Sequence, residues 1–214
     1  MKKPIFKRWW FWAIVVVVVI IAINSGGGNN NNTVTNPEST QNTGNATPTP
    51  TPKEKDIWTK AGMYKVGEDI SVGEYLLMAD SSVPAYFQVS KDSTGSLNSI
   101  ISNDNFEGSR YVTLVKDQYF ELRNAKFVTI DKAPIQEPKD GVYGPGMYKV
   151  GRDVEPGEYK LKSQAGAMAY FEVAKDSKGS LDSIIANDNF DTEKYVTIKE
   201  NQYLKLNSCQ LESK

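Results

Sequence analysis

Residues 62–130 and 146–214 are one sequence written twice, and this duplication constrains the fold more than any other feature of the chain. Gly62-Met63-Tyr64-Lys65-Val66-Gly67 returns as Gly146-Met147-Tyr148-Lys149-Val150-Gly151. Ala85-Tyr86-Phe87 returns as Ala169-Tyr170-Phe171, and Asn103-Asp104-Asn105-Phe106 as Asn187-Asp188-Asn189-Phe190. The offset holds at about 84 positions without a gap, and roughly half of the paired residues are identical. Units of solenoids run to roughly 20–50 residues, so a repeat of this length points to two tandem domains. At about 70 residues each, the copies are near the size at which a single core is marginally stable.

Each copy reads as short strands joined by tight turns. Met63–Val66 leads through Gly67 and Asp69–Glu74 into Tyr75-Leu76-Leu77, a hairpin or at least a strand-turn-strand unit. In the second copy this turn contains Pro156-Gly157, the dipeptide of a type II turn. Alternation over Ala85–Val89 puts Phe87 and Val89 on one face and Tyr86 and Gln88 on the other. Tyr111–Leu114, Tyr119–Leu122 and Phe127–Ile130 are further strands. Ser96–Asn103 carries apolar residues at helical spacing between Ser and Asn, which predicts a helix of one or two turns with its caps. The expected fold is therefore mainly β. It consists of two small antiparallel sandwiches or partly closed barrels, each with a short helical insertion, behind one N-terminal transmembrane helix.

That helix is expected at Trp9–Ile23, an apolar run of about 15 residues. At 1.5 Å per residue it covers roughly 22 Å, short of a hydrocarbon core of about 30 Å, and its tryptophans suit the headgroup level. Lys2, Lys3, Lys7 and Arg8 precede it without an acid, which places residues 1–8 in the cytoplasm and the C-terminal part outside. A cleaved signal peptide is the competing reading, and it exports the same residues. No cysteine follows the run closely enough for lipoprotein attachment. Residues 24–56, rich in Asn, Thr and Pro, read as a disordered spacer. The division is then an anchor at 9–23, a spacer at 24–56, a first copy at 57–130, a linker at 131–145 and a second copy at 146–214.

Charge and composition exclude several functions. The chain carries a net charge of -1, and the four N-terminal cations leave the remainder at -5, which offers nothing to a phosphate backbone or to an anionic bilayer. The chain has no histidine, which removes His-dependent nucleophilic catalysis and His-ligated metals. Its single cysteine, Cys209, stands where the first copy has Ala125 and reads as a small buried hydrophobe.

Three sets of polar or aromatic residues recur in both copies. Lys91-Asp92-Ser93 and Asn103-Asp104-Asn105 have oxygen ligands suited to Ca²⁺ but not EF-hand spacing, and they suit turns and caps better, so no metal or cofactor is assigned. Asp69 and Glu74, with Asp153 and Glu158, are paired acids flanking a turn, an exposed setting that does not favour catalysis. Tyr86 and Tyr170 are predicted to face outward at the same place in both copies, which makes them the candidate ligand-binding residues. Neither copy has a tryptophan, the residue sugar platforms commonly use, because Trp58 precedes the first one.

The pattern G-x-Y-x-V-G-x-D-[IV]-x-x-G-E-Y at 62–75 and 146–159, followed by S-I-I-x-N-D-N-F at 99–106 and 183–190, resembles an uncharacterised β-rich domain of Firmicutes surface proteins. The resemblance covers about two-thirds of the chain and implies display behind a membrane segment, but brings no activity or binding residue. The expectation is a membrane-tethered, non-enzymatic protein that binds a cell-envelope glycan or protein, with a purely structural role in an envelope complex as the alternative.

Overall fold

The computed structural model describes residues 57–80 and 83–212. The expected cytoplasmic segment 1–8, anchor 9–23 and spacer 24–56 lie outside them. Among the described residues no helix is long and apolar enough to cross a membrane.

Among the described residues, fifteen strands make four antiparallel sheets, two per copy, and none closes into a barrel. The first copy contributes β1 (Gly62–Lys65), β2 (Gly73–Ala79), β3 (Ala85–Ser90), β4 (Ile100–Phe106), β5 (Ser109–Leu114), β6 (Tyr119–Arg123) and β7 (Ala125–Thr129). The second contributes β8 (Val142–Tyr143), β9 (Gly146–Lys149), β10 (Gly157–Ser163), β11 (Ala169–Ala174), β12 (Ile184–Phe190), β13 (Glu193–Ile198), β14 (Tyr203–Asn207) and β15 (Cys209–Glu212). The strand orders β1-β6-β3-β4 and β5-β2-β7 reappear as β9-β14-β11-β12 and β13-β10-β15-β8. Within a copy, only β3–β4 or β11–β12 joins sequence neighbours in one sheet. The other connections cross between the two sheets.

Each copy keeps its own core between its own sheets, and no strand is exchanged. Phe87, Phe120, Leu77, Leu114 and Phe127 fill the first, with Phe127 edge-on to Tyr64, Tyr75 and Phe120 at centroid distances of 5.2, 5.6 and 5.4 Å. Phe171, Leu161, Leu204, Ile198 and Leu211 fill the second. Alternation in β3 and β11 holds as expected: Phe87, Val89, Phe171 and Val173 are buried. Cys209 is fully buried, and burial pushes its thiol up to about 11.

The recurring motif is scaffolding. Its tyrosines each donate to the carbonyl four residues upstream: Tyr64 to Lys60 (2.8 Å), Tyr148 to Gly144 (2.9 Å), Tyr75 to Ser71 (2.6 Å) and Tyr159 to Glu155 (2.9 Å). Its Asp accepts the amide hydrogen of the strand it follows, Lys65 to Asp69 at 2.7 Å and Lys149 to Asp153 at 2.9 Å. Gly73 and Gly157 have φ of 142° and 156°, far from the roughly +80° of a type II turn. The segment is therefore a corner that carries the chain from one sheet to the other.

The helix expected over Ser96–Asn103 is corrected. Only Leu97–Ser99 makes a single 3₁₀ turn, and Ile100–Phe106 is strand β4, with Asn103, Asp104 and Asn105 opposite Gln88, Phe87 and Tyr86. The supposed apolar helix face is not buried, since Leu97 is 84% exposed. A helix of one or two turns carries the full nucleation cost for few hydrogen bonds, whereas β4 satisfies the whole edge of β3.

The described residues lie in one compact unit that holds both copies. The segment expected as a linker is pinned to the second copy and supplies β8, whose Tyr143 lies opposite Leu211. Thr59 opposite Phe127 is the same feature in the first copy.

Candidate functional site: the joint between the two copies

The two sandwiches meet through different faces. The outer face of β5-β2-β7 in copy 1 lies on the outer face of β9-β14-β11 in copy 2. Leu76, Tyr111 and Val128 from the first and Met147, Ala174 and Tyr203 from the second form a buried apolar cluster. Tyr111 and Tyr203 stack edge-on at 5.7 Å. Strand alternation explains the placement: Tyr75 and Leu77 point into the copy 1 core, so Glu74, Leu76 and Met78 point out of it.

Polar groups ring this cluster. Glu74 accepts hydrogen bonds from Lys149 Nζ (2.7 Å), Ser177 Oγ (2.7 Å) and the Tyr203 hydroxyl. The Tyr203 phenol is pushed up to about 12, first by burial and then by its bond to Glu74. Burial alone would lower the Lys149 ammonium, but its bonds to Glu74 and Tyr203 raise it above the ordinary lysine value. Asp104 pairs with Arg110 of its own copy (3.1 Å) and with Lys205 of the other.

Asp153 forms the second polar centre. Its side chain is fully buried and accepts from the Tyr111 hydroxyl (2.6 Å), Arg152 Nη1 (2.7 Å), Lys149 N (2.9 Å) and Gln136 N (3.1 Å). Burial, then the Asp153 charge, raises the Tyr111 phenol well above the ordinary tyrosine value. The linker closes this centre, because Ala133 and Pro134 offer carbonyls to Arg152 at 2.7 and 3.2 Å.

The copies meet closely enough to constrain the backbone at Gly108, where φ is 63°. A Cβ there would come within 2.2 Å of the Pro145 carbonyl oxygen. Beside this contact lies a cleft of about 240 Å³ between Asn105 and Glu107 of copy 1 and Pro145, Lys205 and Asn207 of copy 2, smaller than the roughly 300 Å³ at which small-molecule sites begin.

A family model matches part of this region. It is the Rv1352-like extracellular domain, and it covers residues 140–211, which is copy 2 together with β8, or about a third of the chain. Copy 2 is thus similar to an extracellular domain, which supports an extracytoplasmic C-terminal part. No curated protein matches the chain.

The candidate residues named from the sequence fall in different places. Tyr86 and Tyr170 are half-buried, not exposed, on the outer faces of β3 and β11. Their hydroxyls donate to Gln88 (2.8 Å) and Glu172 (2.9 Å) and accept from Asn103 (3.3 Å) and Asn187 (3.2 Å), so the polar end of each ring is already engaged. Burial above all holds the Tyr170 phenol at about 12. Asp92 caps its own turn, accepting from Thr94 N (3.0 Å) and Oγ1 (2.5 Å), as Asp176 does from Lys178 N (3.0 Å). The paired acids separate: Asp69 and Glu158 are exposed, while Glu74 and Asp153 enter the joint at its two polar centres. The joint itself was missed by sequence reasoning, although aligning the copies carries a signal for it. Leu76 and Val128 in copy 1 stand opposite Lys160 and Glu212 in copy 2, so one copy must bury what the other exposes.

Proposed function

We propose that this protein is a membrane-tethered, non-catalytic cell-envelope protein that works by docking to other proteins, an assembly module rather than a receptor for a small ligand. The observation that carries this reading is the joint. The chain spends an aliphatic and aromatic cluster and two polar networks on holding one β-sandwich face against another, the chemistry of protein–protein recognition. The N-terminal apolar run with its preceding cations, the family match of copy 2 and the resemblance to Firmicutes surface proteins all support display outside the membrane. Copy 1 and copy 2 do not offer equivalent surfaces, because the joint consumes one face of each.

Glycan binding through Tyr86 and Tyr170 is the second reading, favoured by the repetition of the same Tyr–Asn arrangement in both copies. A glycan and cell-wall binding screen of residues 53–214 separates the two. We expect no binding that depends on these tyrosines. Saturable glycan binding that disappears in a Tyr86→Ala/Tyr170→Ala double variant of unchanged stability would refute the assembly reading.

A further inference from the structure

Joining two unlike faces leaves one of each kind unused, and such an arrangement has no built-in end. Copy 2 receives copy 1 on the outer face of β9-β14-β11. Among the described residues nothing covers the matching face of copy 1, on β1-β6-β3: Met63 is 53% exposed, whereas its counterpart Met147 is 1% exposed. Four of the receiving side chains are nevertheless the same, while Glu68, Ser90 and Glu121 stand where copy 2 has Arg152, Ala174 and Lys205. Met63, Lys65, Ser93 and Tyr119 stand for Met147, Lys149, Ser177 and Tyr203. The lysine–tyrosine pair is also similarly set, although Lys65 is paired with Glu68 of its own copy (2.6 Å) where Lys149 is paired with Glu74 of the other. The Lys65 ammonium lies 6.0 Å from the Tyr119 ring, and the Lys149 ammonium 5.3 Å from the Tyr203 ring.

The chain's own second copy is a poor occupant for this face. Where copy 1 presents Leu76 and Val128, copy 2 presents Lys160 and Glu212, paired with Glu193 (2.8 Å) and Lys162 (2.5 Å). Burying those ions against Met63 and Tyr119 would cost their hydration without an apolar gain. Glu121, which stands for Lys205, would in addition face Asp188, which stands for Asp104.

We propose that the Met63–Lys65–Tyr119 face of copy 1 is a docking site for a partner β-sandwich, and that Lys160 and Glu212 keep the chain's own second copy from occupying it. The partner presents a glutamate beside an aliphatic pair and a tyrosine, as Glu74, Leu76, Val128 and Tyr111 do in the joint. It also places a cation opposite Glu121. This rests on the assembly reading above and supplies the surface that reading requires.

The test restores the aliphatic donor pair on copy 2 and the Lys205 equivalent on the receiving face of copy 1. A chain of residues 53–214 carrying K160L, E212V and E121K is compared with the unaltered chain by sedimentation velocity. The unaltered chain stays monomeric, the triple variant at least doubles its weight-average mass at the same concentration, and adding K65E returns it to monomer. A folded triple variant that sediments like the unaltered chain overturns the proposal, as does an unaltered chain that associates equally well. If the triple variant does not fold, mixing a K160L/E212V chain with an E121K chain decides, with a one-to-one complex expected and its absence counting against the site. Failure here removes the receiving face and leaves the glycan screen to judge the assembly reading separately.

Discussion

Asp69 and Asp153 occupy the same place in the same motif, so replacing each by alanine measures how unequal the joint has made the two copies. Asp69 is exposed and accepts one amide hydrogen, from Lys65 at 2.7 Å. Its loss removes a single hydrogen bond whose donor water can reach, a cost of about 1 kcal/mol. Asp153 is fully buried, and its loss strands the Tyr111 hydroxyl and the Gln136 amide and strips Arg152 of its carboxylate. Removing one partner of a buried ion pair costs about 3–5 kcal/mol. Asp153→Ala should therefore destabilise the chain by at least about 2 kcal/mol more than Asp69→Ala, a factor of roughly 30 in the folding equilibrium. Urea unfolding of residues 53–214 reads this directly. With a slope of about 2 kcal/mol per molar, the two midpoints should lie about 1 M apart. Equal midpoints would mean that the Asp153 network adds nothing beyond the local turn, and the account of the joint would be wrong.

Three further outcomes are expected. Gly108→Ala combines a left-handed backbone with a clash on Pro145, whereas Gly95→Ala, at φ 72° with no atom near its Cβ, meets only the backbone strain. The first should lower the thermal midpoint clearly more than the second, and equal shifts would show that the copies do not touch there. Leu76→Lys, which places the copy 2 residue in copy 1, should cost about 3–5 kcal/mol by leaving an unpaired ammonium in a fully buried apolar site, while the reverse Lys160→Leu, which removes only a surface ion pair, should be nearly neutral in unfolding experiments. The folded state holds the Tyr148, Tyr170 and Tyr203 protons to about 12 and the Cys209 proton to about 11, above the ordinary values near 10 and 9. Protonated groups are thus favoured by folding, so the contribution of these four groups is constant from neutral pH to about 9, is lost between 9 and 12, and less is lost between 9 and 11 in Cys209→Ala. A flat urea midpoint across that range would contradict the burial of these groups.

Much of the fold was legible because it is local. The alternation of Tyr86 to Val89 gave the strand and its inward face, and the Cys209–Ala125 correspondence gave a small buried position. Ser96–Asn103 was misread because two adjacent isoleucines and a leucine satisfy a helical spacing over so short a stretch. Whether β3 needs a partner strand is not written within that stretch. Pro156-Gly157 reads locally as a type II turn, but the geometry of the corner depends on which sheet the next strand joins.

By itself the sequence determined that a β module occurs twice, that neither copy has histidine chemistry, and that cations and an apolar run precede them. Periodicity, composition and repetition act through neighbouring residues, so they survive without a structure. Only the tertiary structure decided which equivalent residues would become unequal. Glu74 and Tyr203 lie 129 positions apart, and although Arg152 beside Asp153 and Leu76 beside Glu74 mark local differences from Glu68 and Lys160, nothing local says which face they will be buried against. Their environments separate because two marginal cores gain by burying one face of each against the other, and a contact between unlike faces cannot treat both copies alike.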